Sequence, residues 1–141
     1  MNKEDRITQI NYKLFALRKY VQFLKRFENI SVEELTESEM KQGAIERYFQ
    51  LAIEIVLDIT SQLIAEYRFR MPEDYKDSIR ILGEEGVLSK KFTQELIPMA
   101  GFRNILVHDY LKIDYHKVAD KLNNRLGDFE KFAKAVAKYL R

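Results

Sequence analysis

The stretch that most constrains this chain is "YFQLAIEIVLDITSQLIAE", residues 48–66. Read as a helix, it is apolar over far more than one stripe. Ile53, Val56 and Leu57 fall on different sides from Leu51, Ile55 and Ile59. A helix apolar on two sides must be covered on two sides. Either it runs through the middle of its own bundle, or a second copy of the chain covers one side. Its polar residues form a line at every fourth position: Gln50, Glu54, Asp58 and Gln62. Such a line is ordinarily a solvent face.

The rest of the chain is also helical in period. Ile7, Ile10, Leu14, Leu17, Val21, Leu24 and Phe27 recur at spacings of three and four, predicting one amphipathic helix over the first 25 or so residues. Two capping-box patterns follow, Ser31-x-x-Glu34 and Thr36-x-x-Glu39. In each, a hydroxyl accepts a backbone N–H while the Glu reaches back to another. The first predicts a single turn and the second the start of the long helix, ending near Tyr67. A shorter helix is expected to begin around Pro72 and to end at Gly83 or Gly86. Ser89 is placed to cap the next, in which Pro98 should kink the helix or mark a new start. Asp114 is placed to cap a last helix with Val118, Leu122, Leu126, Phe129, Phe132, Val136 and Leu140 as its stripe. With 5 Gly and 2 Pro, little of the chain is left for turns. The expected fold is all-α: an antiparallel up-and-down bundle of about five helices, one domain over residues 1–141.

Several site types are excluded or unsupported. There is no cysteine, hence no disulfide, thiolate metal site or cysteine nucleophile. No Glu-x-x-His, His-x-x-x-His, Walker or Gly-x-Gly-x-x-Gly pattern occurs, so neither a metal nor a cofactor is expected. No apolar run approaches the roughly 20 residues of a membrane span, and "MNKEDRITQI" lacks a signal-peptide core, so a cytoplasmic location without membrane contact is expected. Net charge is +2, but it is uneven. From Glu28 to Glu54 seven acids face only Lys41 and Arg47; from Lys117 to Arg141 seven bases face three acids. Such asymmetry steers polyanions, although solvated helix surface is its commoner meaning.

The remaining chemistry lies in "GFRNILVHDY", residues 101–110. Histidine, with a reference pKa of about 6.5, takes and returns protons near neutrality. Arginine stays charged and grips phosphate oxygens with parallel donors. Asparagine donates to phosphate or orients an imidazole. Arg103, Asn104 and His108 therefore suit phosphodiester cleavage of RNA, with the 2′-hydroxyl as nucleophile. They equally suit caps, ion pairs and satisfied polar groups, and Tyr110 suits a packing aromatic at a helix end. Arg103 and His108 lie ~140° apart around an ideal helix and ~7.5 Å along it. They cooperate only if the helix frays or the site spans a two-fold axis.

"MAGFRNILVHDY" resembles the signature of the HepT-like branch of the HEPN superfamily: Arg, a polar residue, a short spacer, His, any residue, Tyr. "QLAIEIVLDITSQLIAE" resembles that family's second long helix, and "PEDYKDSIRILGEEGVLSKKFTQELIPMAGFRN" the segment leading into the signature. Together they cover residues 49–136, and Gln62 departs from the histidine carried by relatives. The resemblance implies a homodimer joining the Arg and His of both chains in one cleft that cuts RNA without a metal. Arg103 would then stabilise the transition state, His108 act as acid or base, Asn104 hold substrate or His108, and Asp58 shape the cleft. It further implies a toxin–antitoxin pair in which a minimal nucleotidyltransferase transfers AMP to Tyr110 and silences the site. A non-cutting subunit that holds substrate or nucleotide for a nucleotidyltransferase is the alternative, and a purely structural dimer a third reading.

Overall fold

The long two-sided helix is the axis of the molecule. The computed structural model describes residues 2–141, and among them seven α-helices and one 3₁₀ turn. Helix α1 spans Lys3–Lys25, α2 Val32–Glu37 and α3 Glu39–Glu66; α4 spans Tyr75–Glu84, α5 Lys90–His108, α6 Tyr115–Asn124 and α7 Gly127–Tyr139. Ile53, Val56, Leu57 and Ile59 of α3 are all buried within the chain. Helices α1, α4, α5 and α7 all pack against α3. A second copy is not needed to explain them. Leu51 and Ile55 stay half-exposed, and Asp58 is exposed between turns. Helix α3 has the length and hydropathy of a membrane span, contrary to the reading of the sequence, but it serves here as the core of the bundle.

Helix α1 runs antiparallel to α3, as successive contacts show: Arg6 with Glu66, Lys13 with Gln62, Tyr20 with Tyr48. Of the stripe the spacing predicts, Ile10, Leu14, Leu17, Val21 and Leu24 are buried, whereas Ile7 stays half-exposed and Phe27 lies beyond the helix end. Ser31 caps α2 by accepting the Glu34 N–H at 3.1 Å. The second capping site shifts from Thr36 to Ser38, whose hydroxyl accepts the Lys41 N–H at 3.2 Å. Helix α2 is longer than one turn and absorbs Thr36, whose hydroxyl turns back to the Glu33 carbonyl at 3.2 Å. Ser38 is the residue left extended, as a capping residue must be.

Helix α4 starts after Asp74, whose carboxylate accepts the Asp77 N–H at 2.7 Å, and not at Pro72. Arg70 fixes this start by forking onto Asp77 at 2.7 and 2.8 Å while also holding Glu84. Of the two candidate glycines, Gly86 ends the helix, at φ 78°, with the Val87 N–H returning to the Leu82 carbonyl. Gly83 serves packing instead: a Cβ there would lie 2.5 Å from Thr93 Oγ1, so α4 and α5 approach closely.

Ser89 caps α5, accepting the Phe92 N–H at 3.1 Å. The helix continues through Pro98 to His108. Pro98 and Gln94 both lie on the exposed side of the helix, away from the core, where a proline costs the packing least. The expected last helix is divided: Arg125 leaves helical geometry at φ −122°, ψ 0°, and α7 begins at Gly127. Arg125 secures the corner, donating to the Glu95 carbonyl at 3.2 Å and pairing with Asp128 at 2.7 Å. The stripe survives the break, because Val118, Leu122, Leu126, Phe129, Phe132 and Val136 are buried. This division and the separate α2 account for seven helices in place of about five.

Candidate functional site

Helices α3, α4 and α5 meet at Arg103. Its side chain is only 14% exposed, and Nε donates to Glu54 Oε1 of α3 at 2.9 Å. The ring of Tyr75, in the first turn of α4, lies under the guanidinium with its centroid 5.0 Å from Cζ. Such a cation–π contact fixes the plane of the group. Nη1 has Asn104 Oδ1 at 3.4 Å, a weak contact. The arginine is thus held at one nitrogen and one face, leaving its Nη edge to grip an anion. Two residues earlier, Gly101 lets Lys76 lie across α5, with Nζ 3.6 Å from where a Cβ would be.

His108 is differently placed. It is the last residue of α5 and exposed, and among the described residues its imidazole has no hydrogen-bond partner. The helix is regular up to it, so the ~140° and ~7.5 Å between positions 103 and 108 are retained. Within one chain the two do not converge. Asp109 ends the helix at φ −128°, ψ 39°, and its N–H donates to the Ile105 carbonyl at 3.0 Å. A 3₁₀ turn, Tyr110–Lys112, follows, with Tyr110 64% and Leu111 90% exposed. The Tyr110 hydroxyl has no partner among the described residues.

Asp58 is exposed one turn beyond Glu54 and makes no ion pair among the described residues. Gln62 faces α1, accepting from Lys13 Nζ at 2.7 Å and donating to Gln9 at 3.2 Å. The polar line of α3 is therefore partly a seam between helices, bonded to α5 at Glu54 and to α1 at Gln62. Sequence reasoning put Glu54 on that line without singling it out; a carboxylate on an otherwise apolar helix was its one signal. Tyr75 and Lys76 carried none, since their positions depend on how α4 docks. Tyr115 opens α6. Its hydroxyl donates to Glu46 Oε2 at 3.0 Å, with Gln42 Oε1 at 3.2 Å, and burial, aided by Glu46, pushes its pKa up to about 12. No three His, Asp or Glu side chains converge among the described residues to hold a metal ion.

A family model described as "Ribonuclease HepT-like" matches residues 17–136. The chain is 27% identical to a tRNA nuclease HepT of Aphanizomenon flos-aquae, over 93% of this chain and 89% of the relative. It is 30% identical to a putative RNase, YutE, of Bacillus subtilis, over 74% and 72% of the two chains. Among solved structures, a Bacillus subtilis YutE described as a cytosolic protein of unknown function superposes with a TM-score of 0.82 at 25% identity, covering 94% of this chain and 89% of that one. A tri-AMPylated Shewanella oneidensis HEPN toxin in complex with MNT antitoxin gives 0.84 at 21% identity, covering 98% and 99%.

Proposed function

The chain belongs to the ribonuclease HepT-like family, and from that premise we propose that it is a cytosolic RNA endonuclease, the toxin of a toxin–antitoxin pair. The observation that carries the reading is the cradle of Arg103. A guanidinium fixed by Glu54 and Tyr75, with only the 3.4 Å contact to Asn104 on its outer edge, is prepared for a phosphate whose charge grows in the transition state. The 2′-hydroxyl of the RNA attacks phosphorus, the bond to the 5′-oxygen breaks, and a 2′,3′-cyclic phosphate is left. One imidazole takes the 2′-hydroxyl proton and another delivers a proton to the departing 5′-oxygen, so no metal ion is required. Asn104 holds a phosphate oxygen or the imidazole, and Asp58 borders the cleft.

Two His108 imidazoles at one phosphate require two chains. The separation of Arg103 from His108 along a regular helix supports a homodimeric site, in which each chain's His108 reaches the Arg103 of its partner. Half-exposed Leu51 and Ile55 beside Asp58 are suited to that contact.

Tyr110 is the residue modified by a partner nucleotidyltransferase. Its phenol oxygen attacks the α-phosphorus of ATP, pyrophosphate leaves, and the phenolic proton is lost. The product carries a phosphodiester charge two residues from His108, where it competes with substrate phosphate and blocks RNA. The exposure of Tyr110 supports this choice, since its oxygen is accessible to a second enzyme.

Purified protein incubated with total RNA in EDTA tests the nuclease. Wild type should produce cyclic-phosphate ends, and Arg103→Ala should not. Cleavage that stops in EDTA and returns with a divalent cation would remove the metal-free mechanism. Co-expression with a partner nucleotidyltransferase tests the switch: mass should rise in AMP units and Tyr110→Phe should prevent it. Modification persisting in that variant excludes Tyr110.

A further inference from the structure

At the end of α5 far from His108, an open groove of about 990 Å³ lies between the α4–α5 turn and α7. Its charged lining residues are Lys90, Lys131, Lys138 and Glu84. Glu84 is engaged by Arg70 at 3.0 Å, and that pairing holds its carboxyl below the usual range. None of the three lysines has a carboxylate partner among the described residues. Lys131 and Lys138 are seven residues apart on α7, two turns along one face, ~10.5 Å. Lys90 faces them from the first turn of α5.

Aromatic rings lie among these cations. Phe92 forms part of the lining, with Lys131 Nζ 5.9 Å from its ring centroid. Tyr139 closes one end, its ring held edge-on against Tyr67 at 5.1 Å. Phe92 is buried and Tyr139 half-buried, so the groove presents its cations, rather than open ring faces, to a phosphodiester backbone. The groove belongs to the lysine-rich C-terminal segment, whose charge the cleavage site does not use.

We infer that this groove binds the phosphodiester backbone of substrate RNA as a second site, remote from the scissile phosphate; the inference rests on the nuclease reading above. Lys90 and His108 stand 18 residues apart on one helix, ~27 Å. An RNA of a few nucleotides at His108 cannot reach the lysines, whereas a longer strand engages both. The groove therefore selects for substrate length and leaves the chemistry untouched.

The test uses the His108→Ala chain, so that RNA stays uncut. Lys90→Gln, Lys131→Gln and Lys138→Gln are combined in it and compared with Lys3→Gln, Lys19→Gln and Lys41→Gln, all exposed elsewhere. Fluorescence anisotropy reads binding of a roughly 20-nucleotide and a roughly four-nucleotide RNA across salt. The groove variant should bind the long RNA about tenfold more weakly at ~0.1 M salt, with the log–log salt slope smaller by about 2. Binding of the short RNA should not change. With His108 restored, cutting of the short RNA should also be unchanged while cutting of the long one slows. Equal binding of long RNA by the two triple variants overturns the groove and leaves the nuclease reading standing. So does a groove variant that keeps its RNA affinity but loses the nucleotidyltransferase or a second copy of itself, since the surface is then a protein interface. If the His108-intact chain neither binds nor cuts RNA, the nuclease reading fails and takes the groove with it.

Discussion

Arg103 and His108 lie on the same helix five residues apart, yet their surroundings are opposite. Arg103 is braced by a carboxylate from α3 and a ring from α4; His108 ends its helix in solvent, followed by a turn whose Tyr110 and Leu111 are mostly exposed. Bracing fixes a charge before substrate arrives, which is where electrostatic catalysis gains most. The roles proposed for His108 and Tyr110, proton carrier and modification target, need the reverse: access, and partners that come from outside the chain. The difference separates what the fold supplies alone from what a second chain, an RNA or a modifying enzyme must complete.

The largest expected effect breaks the exposed side of the comparison. His108→Ala should lower the cleavage rate by about 10²–10⁴, the usual loss of a general acid or base. Its melting temperature should match wild type, because the imidazole makes no contact that holds the fold. A large drop in Tm would mean that the tip is structural, and undiminished cutting would remove His108 from the mechanism.

On the braced side, Glu54→Ala should slow cleavage by about ten- to a hundredfold through misplacement of Arg103. Glu54→Gln should restore part of the rate, since an amide oxygen still accepts from Nε. Glu54 acts here as a positioning residue, so kcat should fall more than KM rises. Equal behaviour of the two variants would argue that the charge of Glu54 matters rather than its hold.

These two residues also mark what the sequence made legible. His108, Tyr110 and Arg103 could be singled out as candidates because they stand within ten consecutive residues. The course of α1, the stripe of the last helices and the Ser31, Ser89 and Asp114 caps were equally local, needing only period and side-chain type. Glu54 and Tyr75 were not readable as Arg103's partners, because which faces of α3 and α4 meet α5 is settled by packing. The corner at Arg125 was missed for a related reason. A stripe that stays in phase across a break looks continuous, and the ion pair with Asp128 that holds the corner has no separate signal.

A smaller effect tests how α4 is held, and so how Tyr75 reaches Arg103. Asp77 accepts both donors of Arg70 and the Glu73 N–H, and these bonds hold its carboxyl well below the usual range. A depressed folded pKa stabilises the protein above the unfolded value of about 3.9, and that contribution is lost as pH falls through the folded one. Asp77→Asn should therefore lower Tm at pH 7 and lose less of it on acidification below about pH 4 than wild type does. Parallel Tm curves for the two proteins would show that the fork does not anchor the turn. Cleavage should fall less than in Glu54→Ala, because only the ring beneath Arg103 loosens.

The smallest effect contrasts two tyrosines five residues apart. Tyr110 has a free hydroxyl in an exposed turn, whereas Tyr115 spends its proton on Glu46 and ties the start of α6 to α3. Burial raises the Tyr115 pKa to about 12, so its contribution to stability is complete below the unfolded value of about 10 and fades as pH rises toward 12. Tyr115→Phe should cost about 1 kcal/mol at neutral pH, the worth of one partly buried hydrogen bond. It should also delete a late step in the ultraviolet phenolate titration, and the deficit in stability should shrink at high pH. Modification by the nucleotidyltransferase should be unaffected, because an oxygen already bonded to a carboxylate is a poor target beside one open to solvent. Loss of AMP transfer in Tyr115→Phe, with Tyr110 intact, would mean that the α3–α6 tie positions the turn and that the two tyrosines act together.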